Sequence, residues 1–323
     1  MKTSFKNIIY TLFAVALVNA CSKVPSGYLS SQIRYPNSPD SVPIGVVKQL
    51  NPVDNDGSSS PVLYELLDIR NAVTHQHADS LYMKQDRYVF ISQFLSDVDT
   101  TVELLNSIRN KISAPCFDFN VHTGALTFYG TTANVPAGTY EYDVKATNEY
   151  GSKTFKNAGI FILYHGSPYE NDGAACSWFQ DGTTTSGTIS TPTMDIQQLS
   201  TSGDRVILEL VDKNGTPFNP SLNEYISRGD RSDFRTFARF HPLIVTDTAL
   251  ICDFELTPFP IVPGAQGYTI YYRIPSNKAL IDPGITPTPA RIYSTNPRFT
   301  FILSQDGTYL VKIQIPNVTR DPI

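Results

Sequence analysis

The chain has 323 residues, 41% apolar and 17% charged, with a formal net charge of −5 at pH 7. Nucleic acid and anionic headgroups are bound through an excess of Lys and Arg, which this composition lacks, so no nucleic-acid partner is expected. The length fits two domains, with one or three as alternatives.

Residues 1–20 have the parts of a secretory signal: Lys2 and Lys6, then an apolar core from Ile8 to Val18. That core is shorter than the roughly 20 apolar residues of a spanning helix. It ends in Val18-Asn19-Ala20-Cys21, which resembles the lipobox of bacterial lipoproteins. The resemblance implies cleavage before Cys21 and acylation there. Two or three chains then hold the protein stably in one leaflet, where one would be marginal. An ordinary signal peptide cut nearby is the alternative. Losing Lys2 and Lys6 with no acid moves the net charge from −5 to −7.

Residues 21–60 are rich in Ser, Pro, Asn and Asp and read as a tether with at most one early strand, although Tyr28, Ile33 and Tyr35 could dock on the first domain. From residue 61 the pattern is short strands and turns. In "AGTYEYDVKATNEYG", Tyr140, Tyr142, Val144 and Ala146 fall on one face and Glu141, Asp143, Lys145 and Thr147 on the other. This period of two predicts a half-buried antiparallel strand, which "SKTFKNAGIFIL" then joins. "DFNVHTGALTFYG" predicts two strands around a His-Thr-Gly turn. Val102, Leu105, Ile108 and Ile112 recur at helical spacing after Asp99, giving one short helix or none. The run Tyr140 through Gly151 resembles the end of cadherin-like and immunoglobulin-like modules. The resemblance implies such a sandwich over 61–165 and leaves function open.

Residues 166–190 are polar and turn-rich and read as a linker or loop. The second domain, 191–323, begins with the alternating "RVILELVDKNG" and continues through "ALICDFEL", "GYTIYYRI", "RFTFIL" and "TYLVKIQI". "DGTYLVKIQ" echoes "AGTYEYDVK", and both fit a tyrosine corner. The expected fold class is therefore all-β, with two β-sandwich domains and the topology of the second left open.

Candidate chemistry is sparse. Trp178 and Phe179, beside Gln180 and Asp181, could stack on a sugar ring, or Trp178 could fill a core. The segment from Glu224 to Phe240 mixes Arg228, Asp230, Arg231, Asp233, Arg235 and Arg239. Such a mixture reads as a self-paired surface loop, with Arg235 and Arg239 as weak candidates for acidic sugars. Arg228-Gly229-Asp230 matches an adhesion triplet, a three-residue match that chance supplies often. His75, His77 and Asp79 alternate, yet no third histidine falls in a metal-ligand motif. "DNDGSSS" begins like a calcium loop, but Leu63 stands where the bidentate glutamate belongs. Cys116, Cys176 and Cys252 lack CxxC spacing and read as buried thiols, with at most one disulfide among them. No nucleophile elbow, Walker loop, HExxH or haem motif occurs, so neither catalytic residues nor a cofactor are expected.

The lipobox, the "CSKVPSGYLSSQIRYPNSP" opening, an immunoglobulin-like module and a second β domain together resemble the Bacteroides-type cell-envelope lipoproteins, a domain family of unknown function. The resemblance implies an outer-membrane location, on either face. It implies a non-catalytic binding or accessory role, with polysaccharide as ligand; a structural or adhesive protein that binds envelope proteins is the alternative. It also implies O-glycosylation at Asp-Ser/Thr sequences such as Asp40-Ser41-Val42 and Asp247-Thr248-Ala249.

Overall fold

The computed structural model describes residues 27–321, so the lipidation expected at Cys21 lies outside the described residues. Among the described residues no helix is long and apolar enough to cross a membrane. The described chain forms two compact units, one of residues 27–83 and 115–164, the other of 84–114 and 165–321.

Along the first part of the chain run β1 (Asp40–Pro43), β2 (Lys48–Gln49), β3 (Leu63–Asn71), β4 (Gln85–Phe90), β5 (Arg109–Ala114), β6 (Phe117–Phe119), β7 (Leu126–Phe128), β8 (Gly138–Asn148) and β9 (Gly151–Tyr164). All but β4 and β5 build the first unit, as two sheets in the orders β1-β9-β8-β3 and β2-β7-β6. β1 runs parallel to β9, and the remaining pairs are antiparallel. A short opening strand parallel to the last one, opposite a second three-stranded sheet, gives an immunoglobulin-like sandwich. Val42, Ile69, Tyr142, Val144, Leu126, Phe128 and Phe161 fill its core from both sheets. The Tyr140 hydroxyl donates to the Pro136 carbonyl at 2.9 Å, which makes the tyrosine corner.

Two expectations change in this unit. The tether is folded from its first described residues. Leu29, Ile33, Tyr35, Val42, Ile44 and Leu50 are buried in the core, and the Tyr35 hydroxyl donates to the Gly124 carbonyl at 2.7 Å. Those apolar residues, spaced through a polar segment, recover more by burial than a solvated tether could. The calcium-like loop acts as a clasp on this segment. Asp54 pairs with Arg34, and Asp56 accepts from the Ser30 hydroxyl at 2.6 Å. Finally, the polar face of β8 is covered. Glu141 and Asp143 are buried, because Arg70 and Lys156 close over Asp143 and His75 over Glu141.

Residues 84–114 group with the second unit, so the 61–165 domain is discontinuous. They form the β4–β5 hairpin and one short helix, Val102–Ser107. Thr101 caps that helix in place of Asp99, which is buried and accepts instead from the Leu95 amide at 2.7 Å.

The second unit continues with β10 (Tyr169–Gln180), β11 (Ser186–Ile189), β12 (Thr193–Ser200), β13 (Asp204–Val211), β14 (Ile226–Ser227), β15 (Ile244–Val245), β16 (Leu250–Asp253), β17 (Ala265–Tyr268), β18 (Ile270–Arg273), β19 (Ala279–Ile281), β20 (Tyr293–Leu303), β21 (Gly307–Gln314) and β22 (Val318–Arg320). Two five-stranded sheets, β11-β10-β20-β18-β14 and β12-β21-β13-β16-β15, enclose one core. β21 is antiparallel to β12 and parallel to β13, which settles the topology left open. Tyr309 repeats the corner, its hydroxyl donating to the Gln305 carbonyl at 2.9 Å. The expected linker over 166–190 is instead the strand pair β10–β11. Alternation explains it: Cys176 and Trp178 point into the core, while Ala175, Ser177 and Phe179 take the other face.

Candidate functional site

The outer face of β10, β20 and β18 holds the most developed site. β20 lies between β10 and β18, pairing with both, and Arg298 stands in register with Ala175 on one side and Tyr271 on the other. The pleat brings Phe179, Ser294, Asn296, Arg298, Tyr271 and Arg273 to this one face. The loop after β14, residues 228–231, arches over it. An Arg231 amide to Arg228 carbonyl bond at 3.1 Å closes the turn, and Gly229 takes the left-handed conformation it needs, with φ +58°. The Tyr271 amide, donating to the Ser232 carbonyl at 2.9 Å, pins the loop to β18.

Under this loop is a cleft of about 310 Å³, lined by Phe179, Gln180, Asp181, Arg228, Arg231, Arg273 and Asn296 among others. Arg228 lies over the Phe179 ring, with its guanidinium carbon 4.7 Å from the centroid, and Arg231 lies 5.7 Å from the centroid of Tyr271. Burial pushes the Arg228 guanidinium below its ordinary value, and the charges of Arg231 and Arg298 push the same way. Arg273 closes one end of the cleft on Asp181 at 2.5 Å. Ser294 and Asn296 form its buried polar floor, where the Asn296 amide nitrogen donates to the Ser294 carbonyl at 3.1 Å. An aromatic ring, amides and a guanidinium fork in one concavity can hold a polar, ring-shaped ligand.

The residues expected from the sequence separate. Phe179 lines the cleft. Trp178, its neighbour, is 6% exposed and packs edge-on against Tyr293 at 5.2 Å, so it is a core residue unable to stack on a sugar. Gly187 makes room for it, since a Cβ there would sit 2.5 Å from the indole. Arg235 lines a different cleft, with Tyr225 and Leu243. Arg239 donates to the Ser96 carbonyl and so fastens residues 84–114 within the second unit. Neither belongs beside Phe179. Arg228 and Arg231, read from the sequence as parts of a self-paired loop, reach the cleft together with Arg273. Opposite signs in the sequence gave no clue that Asp233 turns away into a helix cap while Asp230 stays at the cleft beside the two arginines.

Among the described residues no group of three or more His, Cys, Asp or Glu side chains could hold a metal ion. His77 is engaged with Asp68 at 2.6 Å and His75 with Glu141 at 3.0 Å. Cys116, Cys176 and Cys252 are buried and form no disulfide with one another, and burial pushes the thiols of Cys176 and Cys252 up to about 12.

No family model matches the chain, and no curated protein matches it. Among solved structures, the two tandem V-type regions of VCBP3 (v-region-containing chitin binding protein) align over 86% of this chain and 98% of that one, at 10% identity and a TM-score of 0.21. A score that low carries no argument, and the all-β, immunoglobulin-like description rests on the strand order of this chain.

Proposed function

We propose that the protein is a non-catalytic binding module of the cell envelope, lipid-anchored at Cys21 in the outer membrane, that captures polysaccharide in the cleft beneath residues 228–231. The observation that supports this reading is the cleft itself. Phe179 supplies a ring, Gln180 and Asn296 supply amides, and Arg273–Asp181 supplies a fixed charged end. Polar groups placed around apolar faces are what a sugar ring, with its C–H face and hydroxyl rim, requires.

The test is titration of the purified protein against a panel of soluble polysaccharides, with Phe179→Ala beside the wild type. Saturable binding that Phe179→Ala removes while the melting temperature holds supports the proposal. Binding that survives the substitution, or none to any member, refutes it. Protease digestion on intact and on permeabilised cells separates the surface face from the periplasmic one.

A second reading, that of an adhesive protein, is favoured by the β4–β5 hairpin. It is a two-stranded sheet, and Tyr88, Phe90, Ile91, Leu95 and Val98 in the same segment are exposed. Open strand edges beside exposed apolar groups suit capture of a protein strand. Cross-linking in whole envelopes should then recover a partner through residues 84–114.

A further inference from the structure

We infer that the ligand of this cleft is an anionic saccharide, bearing carboxylate or sulfate groups, an inference that rests on the reading of the cleft as a polysaccharide site. Its basis is a contrast among the arginines of the second unit. Arg205, Arg273 and Arg320 each sit on a carboxylate, of Asp253, Asp181 and Glu224 respectively. Among the described residues no ion pair engages Arg228, Arg231 or Arg298. These three are nevertheless gathered around one ring. Arg228 and Arg231 lie 5.9 and 5.7 Å from the Tyr271 centroid, and Arg298 is the ladder partner of Tyr271. Like charges so placed repel, and Arg228 is half-buried, so part of this repulsion is felt where screening by water is weakest. Asp230 and Asp172 border the same face and offset part of the charge. An excess of one positive charge is left, on a chain whose total is −5.

The rings prepare the arginines for an anion. A guanidinium held over an aromatic face keeps its N–H donors in plane and free, and loses less rotamer freedom when it forms a two-point bond with a carboxylate or sulfate. The space fits a chain rather than a lone ion. A second cleft of about 270 Å³, lined by Tyr271, Arg298, Thr269 and Thr300, lies on the same sheet face. Two clefts on one sheet face, each with an aromatic ring and an arginine in its lining, match an extended saccharide with acidic substituents.

The test is calorimetric titration of the full chain with trigalacturonate, a heparin-derived tetrasaccharide and, as neutral control, maltotriose. Arg231→Gln and Arg298→Gln are compared with Arg235→Gln, which lies in the other cleft. Arg231, Arg298 and Arg235 are exposed, so the fold should hold, and melting curves verify it. The expected result is binding of at least one anionic probe about tenfold tighter than maltotriose, weakened about tenfold by Arg231→Gln or Arg298→Gln and unchanged by Arg235→Gln. Equal binding of maltotriose, insensitive to both cleft substitutions, would overturn the anion inference while leaving the polysaccharide site standing. An equal loss in Arg235→Gln would show diffuse attraction and overturn it. Failure of every saccharide would remove the polysaccharide reading and this inference with it. So would binding, with the same arginine dependence, only to phosphatidylglycerol vesicles.

Discussion

Arg70 grips Asp143 with two hydrogen bonds, at 2.9 and 2.7 Å, on the face of β8 that the sequence presents as solvent-facing. The Asp143 side chain is 1% exposed, and Arg70, the Asn157 amide and Lys156 all engage it. Arg70 above all, with those two donors, holds the carboxyl far below its ordinary value, against the upward push of burial. A carboxylate depressed on folding contributes stability that is fully present above its unfolded value of about 3.9 and is lost as pH falls toward the folded value. The first unit should therefore lose stability below about pH 4, and Asp143→Asn should flatten that dependence. Arg70→Met should cost about 3–5 kcal/mol, because it leaves a buried carboxylate with only the Asn157 amide and the exposed Lys156. Urea unfolding at pH 7 and pH 3, followed by fluorescence, checks both.

Trp178 is a packing residue, so Trp178→Ala should destabilise the second unit by about 3–5 kcal/mol. Gly187→Ala should act in the same direction by driving a methyl group into the indole. Thermal unfolding of both variants reads this, and a Trp178→Ala protein that melts like the wild type would contradict the burial.

Arg109 is the buried anchor of residues 84–114. Its side chain is 2% exposed and donates to Glu255 at 2.6 Å and to the Glu255 carbonyl at 3.2 Å, while His241 holds the other carboxylate oxygen at 2.8 Å. Arg109→Met should leave Glu255 partnered by His241 alone. The expected outcome is faster proteolysis within 84–114 with the sandwich resistant, measured by mass mapping of early cleavage products.

The two tyrosine corners should be worth similar amounts. Tyr140→Phe and Tyr309→Phe each remove one hydroxyl donated to a backbone carbonyl and leave the ring in place. A loss of about 1 kcal/mol in each is expected, from chemical denaturation.

Much of the fold is legible because alternation is a local property. Tyr140, Tyr142, Val144 and Ala146 are all buried, as period two requires, and both Gly-x-Tyr starts proved to be corners. The segments misread were those whose local composition and tertiary environment disagree. Residues 27–60 look like a tether by composition, yet six apolar residues scattered among the polar ones reach the core. Residues 166–190 look like a loop because the exposed half of β10 and its turn are polar, which hides the alternation carried by Cys176 and Trp178. Of the candidate cleft only Phe179, Gln180 and Asp181 stood out in the sequence as groups for a sugar, since an arginine's partner depends on residues far away in sequence: Arg239 finds Ser96, and Arg273 finds Asp181.

The sequence by itself determined that the chain is all-β, where its clearest strands lie and which of their faces are apolar, because each of these follows from neighbours one or two residues apart. Tertiary structure decided that Arg70 buries Asp143, that Trp178 is core, and that Arg228, Arg231 and Arg298 meet around Tyr271. Each depends on which strands become neighbours. Strand order is fixed by summed burial over the whole core, which no local window of sequence contains.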